Sequence, residues 1–512
     1  MQRAAVAHPL VHRALELFTG AFTWFVMTAP LWGTLLMPAM WAFLYGAFTI
    51  YWLYKSLTLA VTGVVSYRRM RRDQARDWLS MCRAHPEWET VAHLVVFPTY
   101  REPLEILEDS LEHVAGQDFP KERVMVLLAF EERDPTALGK AQALVKRFQG
   151  RFAQIFVTFH PDRPDEVRGK ASNLSYAVSR VYDEIVGVQG LDPRRIVLTV
   201  CDADSRLHPR YLSALTYRFL TRPNSELLLY QPAVLLHANI HRIPPFVRAL
   251  DSLYSVVQVA RLVTHHRLVT QSTYSLLLST CHAVGYWDVD VIPEDSHMFF
   301  KVFFRFGERV RVQPIFLPVW ADAAEGSWWW RTLVSHYRQA RRWSWGASDI
   351  PYVVWQGLRA RHVCPWHRAY RVVSYVAEHV LWPSHWFLLT GGLNLIPLVA
   401  PSLAASPLVQ GAGTIASTAL AACFPCLLTM IWVDWRLGTW GRFNLSTALT
   451  LLAWPLLPVT GLGLMVLPAV DAHTRLLLGR PLHYEVTEKL PGKRGARLVG
   501  AGQRAVARHR VA

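Results

Sequence analysis

Arg195-Ile196-Val197-Leu198-Thr199-Val200-Cys201-Asp202-Ala203-Asp204-Ser205 is the stretch whose reading decides the fold. Its apolar, β-branched run predicts a strand buried on both faces. It ends by presenting two carboxylates one residue apart. Strand residues i and i+2 point to the same side, and a following turn can splay them around one hard cation. A Mg²⁺ or Mn²⁺ held this way needs few protein oxygens when a substrate diphosphate supplies others. In isolation such a triplet is more often a solvated turn, so its surroundings decide.

Upstream, strand-like runs at 93–97, 123–130 and 154–159 alternate with helical patterns at 103–115 and 170–182. That rhythm predicts an α/β domain over residues 91–330, a parallel sheet with crossover helices. In open sheets of this kind ligands bind at the carboxyl ends of the strands. The Asp202 and Asp204 pair sits at such an end.

On both sides the composition changes. The 512-residue chain is 52% apolar with 21 Trp and 23 Phe, and only 18% is charged. This is too apolar for an ordinary soluble enzyme and too charged for a chain that is membrane throughout. Residues 15–65 carry no charge beyond Glu16 and Lys55, enough for two crossings of about 20 residues each, turning near 30–38. Residues 1–66 are therefore read as an N-terminal membrane region. The basic run Tyr67 to Arg72 opens a cytoplasmic connector, 67–90. Residues 331–366 read as amphipathic interfacial helices. In 367–480, spans are expected at 370–399 and 411–435. A third block, 445–470, is broken by Pro455, Pro458 and Pro468 and reads as a kinked span, a re-entrant hairpin or an interfacial helix. Residues 481–512 form a basic tail.

The net charge of +16 is clustered beside these apolar runs, which points to anionic lipid rather than nucleic acid. No nucleic-acid-binding signature accompanies it. Six scattered Cys do not suggest a disulfide framework, and Cys423 and Cys426 read as small residues in an apolar helix. No signal peptide is expected, because the first apolar stretch is too long.

Four further motifs carry chemistry. Phe97-Pro-Thr-Tyr-Arg-Glu-Pro103 ends the first strand in a polar turn, a place that contacts nucleotides or simply links strand to helix. Lys170 opens a helical pattern, where its ammonium and the backbone N–H groups suit a diphosphate. Glu294-Asp295 follows Pro293: a carboxylate there can accept a proton from a sugar hydroxyl, or merely cap a helix. Gln339, Arg342 and Trp343 share one helix face, an amide, a guanidinium and an indole suited to a diphosphate and a stacked sugar. The competing reading is an interfacial helix that snorkels Arg and anchors Trp among headgroups.

Together these motifs resemble the membrane-embedded family 2 glycosyltransferases of the cellulose- and hyaluronan-synthase type, with D-x-D, E-D and Q-x-x-R-W in that order. Gly169-Lys170-Ala-Ser-Asn173 is similar to that family's G-K-A stretch. Tyr484-Glu-Val486-Thr487-Glu-Lys489 looks like its gating loop, which implies that Val486, Thr487 and Lys489 close over the site. The resemblance implies a GT-A fold, a Rossmann-like mixed sheet in the cytoplasm flanked by transmembrane helices. It implies a nucleoside-diphosphate sugar donor, UDP-linked in most members, with Mg²⁺ or Mn²⁺, and inversion at the anomeric carbon.

Carried onto this chain, Asp204 would hold the metal, and Asp202 the metal or the nucleotide sugar. Asp295, paired with Glu294, would be the general base. Gln339, Arg342 and Trp343 would bind the diphosphate and the acceptor end. Thr99, Tyr100 and Glu102 would line the nucleoside pocket, with Lys170 on the diphosphate. The family's Asp after the second strand is replaced here, so that Glu131 or Glu132 stands in.

Two acceptors are expected, a growing polysaccharide extended processively or, alternatively, a membrane lipid glycosylated once. A remote alternative is a nucleotide-regulated transporter, suggested by Glu378-His379 and Asp434 in apolar surroundings. The expected location is a bacterial plasma membrane, with the catalytic domain cytoplasmic.

Overall fold

Residues 92–99 alternate between two cores. Leu94 and Val96 pack into one, Val95 and Phe97 into the other, so this strand is buried on both faces. The computed structural model describes residues 9–438 and 445–482. Val486, Thr487 and Lys489 lie outside the described residues.

Eight strands form one sheet: β1 (Ala92–Thr99), β2 (Val124–Glu131), β3 (Gln154–His160), β4 (Ile196–Val200), β5 (Arg206–Leu207), β6 (Leu228–Leu235), β7 (Tyr274–Leu277) and β8 (Arg311–Trp320). Their spatial order is β3-β2-β1-β4-β7-β6-β8-β5. β3, β2, β1 and β4 are parallel. β7 runs antiparallel to both β4 and β6, β6 pairs parallel with β8, and β5 closes the edge antiparallel. The result is a mixed, mostly parallel sheet.

The expected strands and helices fall where the apolar pattern put them. The helices are Leu104–Ala115 and Lys170–Tyr182, packed on opposite faces. From β1 the chain winds outward to β3, then returns to β4 on the other side of β1. That reversal opens a crevice at the carboxyl ends of β1 and β4.

Two helices, Pro38–Ala75 and Pro407–Arg436, are long and apolar enough to cross a membrane. The count rises to four if each bent pair is one span: Pro9–Met27 with Ala29–Leu36, bent by 63°, and Leu445–Ala453 with Leu457–Leu477, bent by 75°. The two long helices pack together along small residues. A Cβ on Gly46 would sit only 3.8 Å from Ala412, and Ala42 shares a core with Ala412 and Ala416. Further along, Tyr67 packs edge-on against Trp432 and accepts a hydrogen bond from Arg436 at 3.2 Å.

Residues 370–399 differ from the expected continuous span. A helix runs Pro365–Gly391, and the backbone turns left-handed at Gly392 (φ 44°) before two four-residue helices. The helix carries Arg368, Arg371 and Glu378, and it is not among the helices apolar enough to cross. Glu378 faces Arg261 of the sheet domain at 3.6 Å. It is thus paired with a cation of the sheet domain rather than a lone charge.

Candidate active site

The crevice is a cleft enclosing about 870 Å³ of empty space out to its mouth. Most of its walls come from strand ends and helix faces that the sequence motifs mark.

β1 delivers Thr99, Tyr100 and Glu102 to the cleft. The Thr99 hydroxyl donates to Glu102 Oε2 at 3.0 Å, and the Tyr100 N–H donates to the same oxygen. Between them Arg101 is left-handed (φ 66°), held there by its N–H to Asp134 Oδ2 at 2.9 Å. β2 delivers Glu131, which accepts from Arg133 Nε at 2.6 Å, while the Arg133 guanidinium lies 3.9 Å from the Tyr100 ring centre. Glu131 is buried on the cleft wall, whereas Glu132 is exposed and does not line it.

Beyond β4, Asp202 and Asp204 both reach the cleft. The chain turns at once, Ser205 N–H donating to the Asp202 carbonyl at 2.9 Å, and this separates the two carboxylates. Asp202 Oδ1 accepts from Lys170 Nζ at 2.7 Å, and its Oδ2 accepts from the Ser272 hydroxyl. Asp204 Oδ2 accepts the Asp322 N–H at 2.8 Å. Lys170 Nζ also stands 2.7 Å from Glu294 Oε1. Burial disfavours the Lys170 charge, but the Asp202 and Glu294 carboxylates outweigh it and hold the ammonium well above the ordinary lysine range. Burial pushes Glu294 up to about 7 against the pull of Lys170.

Asp295 sits in the first turn of the Glu294–Phe306 helix, is not among the residues that line the cleft, and does not cap that helix. Its Oδ2 accepts the Ser272 N–H and its Oδ1 its neighbour Ser296's N–H, both at 2.7 Å. Burial raises Asp295 above the ordinary aspartate range, while Lys170 and those two N–H groups work the other way.

The Trp329–Ser344 helix presents Gln339, Arg342 and Trp343 to the cleft, as the i, i+3, i+4 spacing requires. On its other side Arg341 pairs with Asp471 at 2.9 Å. The Trp343 indole stacks on Tyr254, with ring centroids 4.8 Å apart and 14° between planes. Tyr254, Ser272 and Asp322 are cleft residues that no motif flagged. They lie in a helix interior, a polar loop and a strand-end turn, and only the folded chain brings them together.

Asp288 is diverted elsewhere. Its Oδ2 meets His297 Nε2 at 2.9 Å, while Asp349 Oδ1 meets His297 Nδ1 at 2.6 Å. With a carboxylate at each ring nitrogen, His297 carries a proton on both. Burial disfavours that charge, but Asp349 and Asp288 outweigh it and raise His297 to about 9. A histidine raised above its ordinary 6.5 lends stability that is complete below 6.5 and lost as pH rises through 9. Thermal unfolding in detergent should therefore show Tm falling between those values, and His297→Gln should flatten that slope; equal slopes in both proteins would refute this.

Among the described residues no group of three or more His, Cys, Asp or Glu is arranged to hold a metal ion. Asp202 and Asp204 nevertheless supply hard oxygen donors at the cleft. An ion there would complete its shell with substrate oxygens, which fits Mg²⁺ or Mn²⁺.

No family model and no curated protein matches the chain. Among solved structures it is similar to the mannosyltransferase PcManGT from Pyrobaculum calidifontis in complex with GDP-Man and Mn²⁺. That match has 15% identity and a TM-score of 0.41, and covers 81% of this chain and 99% of that one. It is also similar to S. aureus TarS 1–349, alone and in complex with UDP-GlcNAc. Each of these matches has 13% identity and a TM-score of 0.35, and covers 69% of this chain and 94% of the other.

Proposed function

We propose that the chain is a cation-dependent, inverting glycosyltransferase that uses a nucleoside-diphosphate sugar at a membrane surface. The observation that carries this reading is convergence. The D-x-D carboxylates, Lys170 and the Gln339, Arg342 and Trp343 face line one cleft, and Ser272 ties Asp295 to it.

In this reading Tyr100, Glu102 and Glu131 receive the nucleoside, with UDP the expected carrier. A Mg²⁺ or Mn²⁺ held by Asp202 and Asp204 would neutralise the diphosphate as it leaves. Lys170 and Arg342 add fixed positive charge on the same group. The acceptor hydroxyl oxygen attacks the anomeric carbon from the face opposite the diphosphate. The bond from that carbon to the diphosphate oxygen breaks with its electron pair, and the hydroxyl proton passes to Asp295. Trp343 stacked on Tyr254 offers an apolar face to an acceptor sugar.

Activated sugars belong to the cytoplasm, so the sheet domain is assigned there, against the inner face of a plasma membrane. The acceptor is a growing glycan or a membrane lipid. The two to four candidate spans among the described residues are few for a polymer channel and favour the lipid. Purified protein in nanodiscs, given radiolabelled UDP- and GDP-sugars with Mn²⁺, should transfer label to a product. High-molecular-weight product supports a processive synthase and lipid-sized product a single transfer. Absence of both transfer and donor hydrolysis with every sugar tried would overturn the proposal.

A further inference from the structure

Ser272 precedes β7 and has no motif around it, yet every polar group it owns is committed to the cleft. Its N–H donates to Asp295 Oδ2 at 2.7 Å, its hydroxyl donates to Asp202 Oδ2, and its carbonyl accepts from Lys170 Nζ at 3.2 Å. These bonds coincide with left-handed backbone (φ 54°) at a residue that is not glycine. That conformation is strained for an L-residue, and persists only where the surroundings over-determine it. They do so here. The Gln271 N–H donates to Gln231 Oε1 at 2.8 Å, and Thr273 Oγ1 meets Ser205 Oγ at 2.9 Å. Just upstream, the Thr270 hydroxyl donates to the Asp295 carbonyl at 2.6 Å.

We propose that Ser272 is a positioning residue that fixes the cation-side carboxylate Asp202 and the base Asp295 relative to one another. This rests on the reading of the cleft as a sugar-transfer site. Each carboxylate oxygen has two lone pairs, so the bonds from Lys170 and Ser272 orient Asp202 and still leave it able to ligate. Outer partners of this kind typically govern 10–100-fold of metal affinity or activity, an order of magnitude or two. The same residue's N–H aims Asp295, so one peptide sets the spacing between the leaving diphosphate and the group that takes the proton.

The test uses the full chain in detergent, with Mn²⁺ affinity measured calorimetrically in the presence of UDP and, in parallel, GDP. Ser272→Gly removes the hydroxyl but is at ease in left-handed backbone, so its Tm should match or exceed the parent's. Its Mn²⁺ affinity should nonetheless fall by roughly 10–100-fold, with kcat reduced as well. Ser272→Ala should lose the same affinity, and Ser272→Thr, which restores a hydroxyl, should regain most of it. A merely structural residue would move Tm and leave affinity alone. Parental Mn²⁺ affinity in both the Gly and Ala variants would overturn the proposal while leaving the sugar-transfer reading intact. A parent protein that binds Mn²⁺ with neither nucleotide would overturn both.

Discussion

Asp295→Asn should reduce sugar transfer by roughly 10²–10⁴-fold, the usual contribution of a positioned general base, while donor binding survives. The survival is the informative half. Asp295 does not itself line the cleft, whereas Asp202, Asp204 and Arg342 do. The substitution is not silent for the fold, however. Both carboxylate oxygens accept backbone N–H groups, from Ser272 and Ser296, and an Asn amide must turn its NH₂ toward one of them. One opposed donor of this kind costs about 1–3 kcal/mol, so some fall in Tm accompanies the loss of rate. Because burial raises Asp295, the base is ionised only above the ordinary aspartate range. Transfer by the parent should therefore decline on acidification at a higher pH than a solvent-exposed aspartate would give. Calorimetric titration with UDP and Mn²⁺, beside a transfer assay, checks both halves. Transfer at the parental rate would remove Asp295 from the mechanism.

Lys170→Met should be the most damaging single change to stability. Lys170 is 9% exposed and stands 2.7 Å from both Asp202 and Glu294. Removing one partner of a buried pair typically costs about 3–5 kcal/mol. The part owed to Asp202 is discounted, because that carboxylate is 35% exposed and water screens it. The penalty falls mainly on Glu294, already raised to about 7 by burial, which without Lys170 should titrate higher still. The variant should therefore lose least at acid pH, where Glu294 is neutral, and most above neutrality. Adding Glu294→Gln should restore much of the lost Tm, a coupling that a double-mutant cycle measures. Independent, additive losses would refute the pairing. Donor affinity should drop in both proteins, since the diphosphate loses its buried cation.

β1, β2 and β4 were legible because each is buried on both faces and so reads as an unbroken apolar run, and the half-exposed edge strand β3 still stands out by its apolar residues. β5, with two residues, and β7, with four, carry too little pattern to be seen. Their places are set by pairing with β8, β4 and β6. Among candidate site residues, those on a helix face or a strand end followed from spacing alone, as with Gln339, Arg342 and Trp343. Glu131 and Glu132 could not be told apart, because neighbouring residues at a strand end diverge by a rotation that only the next turn fixes. Ser272 was beyond reach. Its role comes from backbone handedness and from three partners distant in sequence, none of which leaves a trace in residue type.

The Gly46 and Ala412 contact joins two helices that lie roughly 330 residues apart in the chain, with the whole sheet domain between them. During synthesis at about 5–20 residues per second, the first helix would wait roughly 15–65 s for its partner. Through that interval its small-residue seam is without the partner it packs on, while the sheet domain between the two helices has time to fold. Pairing of the two long helices thus follows synthesis of the sheet domain rather than preceding it, and the domain is clasped by a joint that closes only after it.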